Sequence, residues 1–362
     1  MHNQKMGKTL REDIRQGGFF RNLRREFKEL QYFYLDDERR EQLQQMGWFR
    51  RTFKSLIWLF KSLFFHLTPV RRLLFVIALV LLFTISANIN GNNVEVQQNG
   101  SLVSLFILMF ILMLELKDKL MAKKELRAGR AVQQALMPEE QPQVPGWQIY
   151  IYSDPANDVG GDLIDFFKID NQQADIALGD VAGKGLPAAL FMAKLQATLR
   201  AIAADYTKLE KLMTKVNEIF CRDSMANSFA SLVYMRIREH SSLVRLVNAG
   251  HYPPILIQSG NIMELPKGNP AIGLNKNISF SETEFKLNPN DILVIYSDGL
   301  SECMNSSKDF YGEERLKNLL EHVKENTPQQ IAHSILNSVR NFAGDEPFAD
   351  DLSFAILKYS AD

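Results

Sequence analysis

Four aspartates stand where the chain turns into or out of a strand, each beside a glycine or a second acid. Asp162 follows Gly160-Gly161, and Asp180 precedes Val181-Ala182-Gly183-Lys184-Gly185. Asp298 lies in Ser297-Asp298-Gly299, and Asp350 in Ala349-Asp350-Asp351. A single acid at a strand end is usually a turn residue. Several together carry more weight, because like charges drawn into one pocket repel unless a cation sits among them. No His or Cys shares the pattern, and an all-oxygen ligand set suits Mg²⁺ or Mn²⁺ rather than zinc. Two such ions roughly 3.5–4 Å apart can hold a bridging hydroxide and clamp a phosphoryl oxygen for in-line attack.

Nearby residues have two readings each. Asp165 either orients a metal-bound water or caps a turn. Asp351 either supports the ligands or simply starts the last strand, the commoner place for Asp. His251 is a candidate general acid for the leaving oxygen. Its setting, Ala249-Gly250-His251-Tyr252-Pro253-Pro254, reads as a rigid turn and favours a structural role. Lys184 would attract phosphate, although Gly183-Lys184-Gly185 reads first as backbone geometry before a helix.

The elements that must hold these residues follow from periodicity. Strands are expected at Trp147–Tyr152, Leu163–Ile169, Ala174–Val181, Phe229–Ile237, Leu243–Asn248, Ile255–Gln258, Ile278–Phe285, Ile292–Tyr296 and Leu352–Lys358. Helices are expected at Pro187–Ala203, Lys208–Phe220, Glu313–Lys324 and Pro328–Phe342. Strand hairpins interrupted by helix pairs indicate an α+β layered sandwich, not a Rossmann series.

The rest of the chain is different in kind. Of 362 residues, 42 are basic and 42 acidic, but the bases crowd the first 72 positions. A basic end beside an apolar segment points to a membrane surface rather than nucleic acid. Residues 1–68 form a basic arm, with a helix expected from Asn22 to Met46. Leu73–Ile89 is a 17-residue run without charge. As a helix it would span roughly 25 Å, close to a hydrocarbon core of ~30 Å. A second run, Leu102–Leu114, follows a polar turn that has no Lys or Arg. Arg71, Arg72, Lys117, Lys119, Lys123 and Lys124 lie on the outer flanks. Charge therefore favours a two-pass transmembrane hairpin over residues 69–116 with both chain ends in the cytoplasm, against a buried helical hairpin as the alternative. Residues 117–138 read as a linker helix, either a passive spacer or a dimer contact. Pro138, Pro142 and Pro145 then mark the start of a catalytic domain over residues 146–359. Cys221 and Cys303 lack CxxC spacing and read as free thiols.

From about Gln133 to Lys358 the chain resembles the bacterial RsbU/SpoIIE-type serine/threonine phosphatases of the PP2C (PPM) superfamily. The motifs are Gln133-x-x-Leu136-x-Pro138, Val159-Gly160-Gly161-Asp162, Gly179-Asp180-Val181-Ala182-Gly183-Lys184-Gly185, Asn248-Ala249-Gly250-His251, Ser297-Asp298-Gly299 with Glu302, Phe310-Tyr311-Gly312 with Arg315, and Asp350-Asp351-Leu352-Ser353. The resemblance implies a PP2C-like αββα sandwich, two Mn²⁺ or Mg²⁺ ions, and hydrolysis of phosphoserine or phosphothreonine on a protein. Asp180 would bridge the ions, with the Val181 carbonyl as a further ligand. Asp298 and Asp350 would bind one ion and Asp162 the other, with Asp165, Asp351 and His251 as supporting residues. Family substrates are typically anti-sigma-factor antagonists of the STAS class. Relatives use the helices after Asp180 as a movable element, so twisting or dimerising the linker helix is expected to alter activity. The expected partners are then a STAS-like phosphoprotein, membrane lipid at the bacterial inner membrane, and a second copy of the chain through the linker helix and the phosphatase domain.

Two other functions compete. One is a catalytically silent binding module of the same fold, which retention of all four aspartates disfavours. The other is a nucleotide cyclase, since Gly160-Gly161-Asp162 matches part of the GGDEF signature. Leu163-Ile164 replaces its Glu-Phe, and the later Asp-Gly and Asp-Asp turns have no place there.

Overall fold

Alternation along single strands sets the layers of the catalytic region. In the computed structural model, which describes residues 35–44, 46–82, 86–90, 93–97, 101–223 and 228–360, strand β11 (Ile292–Tyr296) is buried on both faces. Leu293 and Ile295 point into a core between two sheets. Ile292, Val294 and Tyr296 point the other way, onto helices. Period-two geometry sends neighbouring side chains to opposite faces, so a continuous apolar run serves two cores at once.

One sheet has five antiparallel strands in the order β10 (Thr283–Lys286), β7 (Ser241–Ala249), β6 (Ala230–Arg238), β5 (Gln173–Val181), β4 (Asp162–Lys168). The other runs β3 (Trp147–Asp154), β12 (Leu352–Tyr359), β11, β8 (Ile255–Gln258), β9 (Asn261–Glu264), again antiparallel. On the first sheet's outer face pack α5 (Leu186–Ile202) and α6 (Leu209–Asp223) through Met192, Leu195, Leu199, Leu212 and Val216. On the second pack α8 (Glu313–Val323) and α9 (Pro328–Ala343) through Leu316, Leu320, Ile331, Ile335 and Val339. This is the expected αββα sandwich. The chain divides into two compact units, Met1–Met121 and Ala122–Asp362, and the sandwich belongs to the second.

The sandwich departs from expectation at its edges. The strand expected over Ile278–Phe285 is confined to β10, because Asn269 holds the preceding segment as a loop. Its Nδ2 donates to Ser279 O at 3.0 Å and its Oδ1 accepts from Ser281 N at 2.8 Å. Edge strand β9, with mostly exposed residues, had no apolar pattern to reveal it. Cys221 and Cys303 are free.

In the first unit the two-pass transmembrane hairpin is not borne out. The run Leu73–Ile89 does not form one helix. Helix α3 is described over Pro69–Leu82, while β1 (Ser86–Asn90) is a strand that pairs antiparallel with β2 (Asn93–Gln97). The cause is legible afterwards: Ser86-Ala87-Asn88-Ile89-Asn90 and Asn93-Val94-Glu95-Val96-Gln97 both alternate polar and apolar, the period of a strand. The second run continues without a break into the linker as the single helix α4 (Ser101–Leu136), with Glu115, Lys117 and Asp118 directly behind its apolar part. Among the described residues no helix is long and apolar enough to cross a membrane. Helices α3 and α4 still lie antiparallel. Arg71 pairs with Glu115 and Asp118 at 2.7 and 2.6 Å, and Ser104 Oγ donates to Ala78 O at 2.7 Å. Of the basic arm, residues 1–34 and 45 lie outside the described residues, and with them most of the helix expected from Asn22. Its described part forms α1 (Asp37–Gln44) and the amphipathic α2 (Trp48–His66).

Candidate metal centre

The two sheets bring the four aspartates together at one end of the sandwich. Asp162 opens β4 and lies directly opposite Asp180 near the end of β5. From the other sheet, Asp298 starts the short helix α7 (Asp298–Ser301) just past β11, and Asp350 comes just before β12. The Ser297 N–H donates to Ser353 O at 2.8 Å and its hydroxyl to Asp351 O at 3.1 Å, so the ends carrying Asp298 and Asp350 are tied together.

Asp351 ties one sheet end to the other. Its buried carboxylate accepts from Ala156 N at 2.8 Å, Gly161 N at 2.6 Å and Asp162 N at 3.3 Å. The fit leaves no room for a side chain at Gly160, where a Cβ would meet Asp351 Oδ2 at 2.3 Å, or at Gly299, where it would meet Asp351 O at 2.0 Å. The same turn is held from the linker helix. Gln133 is buried, donates through Nε2 to Gly160 O at 2.9 Å and accepts from Gly160 N at 3.1 Å. In the sequence Gln133 is visible only as part of a motif. Spacing alone carries no signal that its amide clamps a turn.

Electrostatics at this end are unbalanced. Burial, followed by the charges of Asp298, Asp350 and Asp351, pushes Asp180 up to about 7 against the pull of Lys184. Burial also raises Asp162 well above the carboxylate range; Asp351 and Asp180 add to this, while the Ser353 and Ser297 hydroxyls oppose it. Asp298 is raised by burial, then by Asp350 and Glu302. Asp162 Oδ2 is buried and has no hydrogen-bond partner. Asp180 Oδ1 and the Val181 carbonyl both lie beside Gly161, each 3.3 Å from where a Cβ would be. Lys184 supplies a cation, with Nζ 2.7 Å from Asp350 Oδ2.

The other named residues are engaged elsewhere. Asp165 is fully buried and makes a bidentate ion pair with Arg200 of α5, at 2.8 and 2.6 Å. It anchors that helix to β4. His251 accepts from the Ser231 hydroxyl at Nδ1, 2.7 Å, and donates from Nε2 to Tyr296 O at 3.1 Å. Burial lowers its pKa to about 4, so it is neutral with both nitrogens in use.

The donor set fits a hard divalent cation in its chemistry: clustered carboxylates with raised proton affinity, a carbonyl, and an orphaned buried oxygen. Asp350 is nevertheless turned to Lys184. Among the described residues no three Asp, Glu, His or Cys side chains are already grouped to hold a metal ion.

The sequence model of the family described as stage II sporulation protein E (SpoIIE) matches residues 170–360, a span that contains Asp180, Asp298 and Asp350. The chain is 28% identical over 267 residues to Protein IcfG of Synechocystis sp., across 64% of this chain and 42% of that protein. It is 24% identical over 238 residues to Phosphoserine phosphatase RsbU of Bacillus subtilis, across 65% of this chain and 70% of that one. It therefore matches less than half the length of the first relative. The SiaA-PP2C domain of Pseudomonas aeruginosa aligns with a TM-score of 0.59 at 17% identity, covering 67% of this chain and 99% of that domain. That likeness identifies the sandwich as a PP2C-like fold.

Proposed function

Since the chain belongs to the stage II sporulation protein E family, a family of PP2C-type phosphatase domains, we propose that it removes phosphate from phosphoserine or phosphothreonine on a protein, using two Mn²⁺ or Mg²⁺ ions. One observation carries this reading. Asp180, paired across the sheet with Asp162, also meets Asp298, Asp350 and Asp351 from the opposite sheet, and burial with these charges pushes its pKa up to about 7, an arrangement that a cation would relieve. The residues that would hold the ions are Asp162, Asp180, the Val181 carbonyl, Asp298 and Asp350. Bound divalent cations supply Lewis acidity toward a phosphoryl oxygen and lower the pKa of water.

The chain's own residues set the geometry. Asp351 and Gln133 fix the turn that carries Asp162. His251 holds the carbonyl of Tyr296, two residues before Asp298, and so positions that strand end. As a neutral group with both nitrogens occupied, it supports the ligands rather than donating a proton. The test is release of phosphate from a phosphoserine protein by the full chain with Mn²⁺ or Mg²⁺. We expect release that EDTA stops and that Asp180→Asn abolishes. A folded chain that binds the ions but releases nothing would instead be the silent binding module.

We place the substrate among STAS-class phosphoproteins on the strength of the family resemblance alone. We also place the protein at the cytoplasmic face of a bacterial inner membrane. Supporting this, α2 exposes Phe49, Phe53, Leu56, Ile57, Phe60 and Phe65 beside Arg50, Arg51, Lys54 and Lys61, the composition of an interfacial helix. Co-flotation of the full chain with anionic vesicles tests it. A chain that stays at the bottom of the gradient would refute membrane attachment. On the linker helix, Val132 and Leu136 are exposed while Gln133 is engaged by the turn, which leaves a face for a second copy.

A further inference from the structure

Beside the metal centre the chain forms a second concave surface. A cleft of about 630 Å³ opens between α7 with Glu302 on one side and the first turn of α8 on the other. The segment that walls it is tied at both ends. Tyr311 N–H donates to Cys303 O and Gly312 N–H to Ser301 O, both at 2.8 Å, and Met304 bridges to Phe310. The cleft adjoins the acid cluster directly, since Glu302 N–H donates to Asp298 O at 2.7 Å.

Its lining is acidic and aromatic. Glu302, Glu313 and Glu314 all contribute. Glu313 has Lys317 at 3.8 Å. Glu302 accepts a hydrogen bond from the Tyr252 hydroxyl at 3.1 Å. Among the described residues neither Glu302 nor Glu314 has an ion-pair partner. Arg315, the one base in the lining, makes no ion pair with them. It donates to Phe310 O and Tyr311 O at 2.9 and 2.7 Å, and its guanidinium lies 4.8 Å from the Phe342 ring centroid. Phe310 is 52% exposed on the wall. The Tyr296 ring packs 5.6 Å from that of Tyr252, and the Tyr296 hydroxyl is buried without a partner.

We infer that this cleft receives the polypeptide of the phosphoprotein beside its phosphorylated residue, and that it selects a segment carrying Lys or Arg next to an apolar side chain. This rests on the phosphatase reading above. The carboxylates complement a basic side chain and repel a free phosphate or an acidic flank, and the exposed ring offers an apolar contact. Phosphate recognition and chain recognition are thereby divided between two adjoining surfaces of opposite preference.

The test uses the full chain and two fluorescein-labelled phosphoserine peptides of equal length. One carries Lys and Leu next to the phosphoserine, and the other has Glu at the Lys positions. Anisotropy reads affinity, and phosphate release with Mn²⁺ reads turnover. The Lys peptide is expected to bind about fivefold more tightly, the effect of one or two exposed charge pairs. The ratio should fall in Glu314→Gln, and Phe310→Ala should weaken both peptides, each variant keeping the wild-type melting temperature. Equal affinity for the two peptides in the wild type overturns the cleft, whatever the turnover. Failure to release phosphate from either peptide or from p-nitrophenyl phosphate counts against the phosphatase reading, while the affinity ratio still decides the cleft.

Discussion

Strand β5 carries two acids five positions apart that have opposite fates. At its start Asp175 is fully buried, yet both oxygens are taken. Arg236 donates from Nε to Oδ1 at 2.6 Å and from its second nitrogen to Oδ2 at 2.7 Å, and the Tyr234 hydroxyl also donates to it. Arg236 further caps the carbonyls of Ala203 and Tyr206 beyond α5. Near the strand's other end Asp180 meets acids instead of bases. Burial raises the proton affinity of both carboxyls. At Asp175 the Arg236 hydrogen bonds pull back, whereas at Asp180 the next three influences, Asp298, Asp350 and Asp351, push the same way. A buried charge with all its partners is architecture. A half-buried charge surrounded by its like is an arrangement that something else must complete.

The sharpest way to break that contrast is to neutralise each acid in turn. Asp180→Asn is expected to lower phosphate release by more than about 100-fold, since loss of even an outer partner of a metal site costs 10–100-fold. The metal-free variant should stay folded, because a repulsive charge has been removed. Arg236→Met should do the reverse. Leaving Asp175 buried and unpaired costs about 3–5 kcal/mol of stability, measurable by urea unfolding, while turnover per folded molecule stays near wild type. If Arg236→Met abolished turnover at full stability, or Asp180→Asn unfolded the protein, the division between the two ends of β5 would be wrong.

A smaller effect comes from pH. Asp180 has a higher pKa folded, about 7, than unfolded, 3.8, so the metal-free folded state holds the proton more tightly. Its contribution to stability is full below about pH 4 and is lost as pH rises toward 7. Calorimetry in EDTA should show the melting temperature falling across that window, with a shallower fall in Asp180→Asn. Saturating Mn²⁺ should oppose the fall, because the ion takes the proton's place. His251 runs the opposite way. Its folded pKa of about 4 lies below 6.5, so its contribution is present above about 6.5 and lost as pH falls toward 4.

Much of this contrast was hidden in the sequence. The four aspartates were legible because glycine turns and strand periods are local signals. So was the sandwich, from runs such as Ile292–Tyr296 that feed two cores. Partners were not legible. Asp165 reads the same whether it faces a metal-bound water or Arg200, and only the packing of α5 on β4 decides. Asp351 looks like any strand-start acid until the amides of residues 156, 161 and 162 are seen to converge on it. In the first unit the high apolar count of Leu73–Ile89 masks its change of period, and with it the hairpin of β1 and β2.

The smallest expected effect concerns His251, the one residue near the centre whose two readings, structural and catalytic, make different kinetic predictions. Replacing it with Ala removes an acceptor for the part-buried Ser231 hydroxyl and a donor for the buried Tyr296 O. The one buried group left unmet, the Tyr296 carbonyl, costs about 1–3 kcal/mol, so stability should fall modestly. A structural histidine acts only by letting the end of β11, and with it Asp298, drift. Turnover should then fall by the same factor on a phosphoprotein and on p-nitrophenyl phosphate. A general acid would matter far more for the serine alkoxide, a poor leaving group, than for nitrophenolate. Equal loss on both substrates places His251 with Asp175, among the residues that build the site; a loss confined to the phosphoprotein would move it to the side of Asp180.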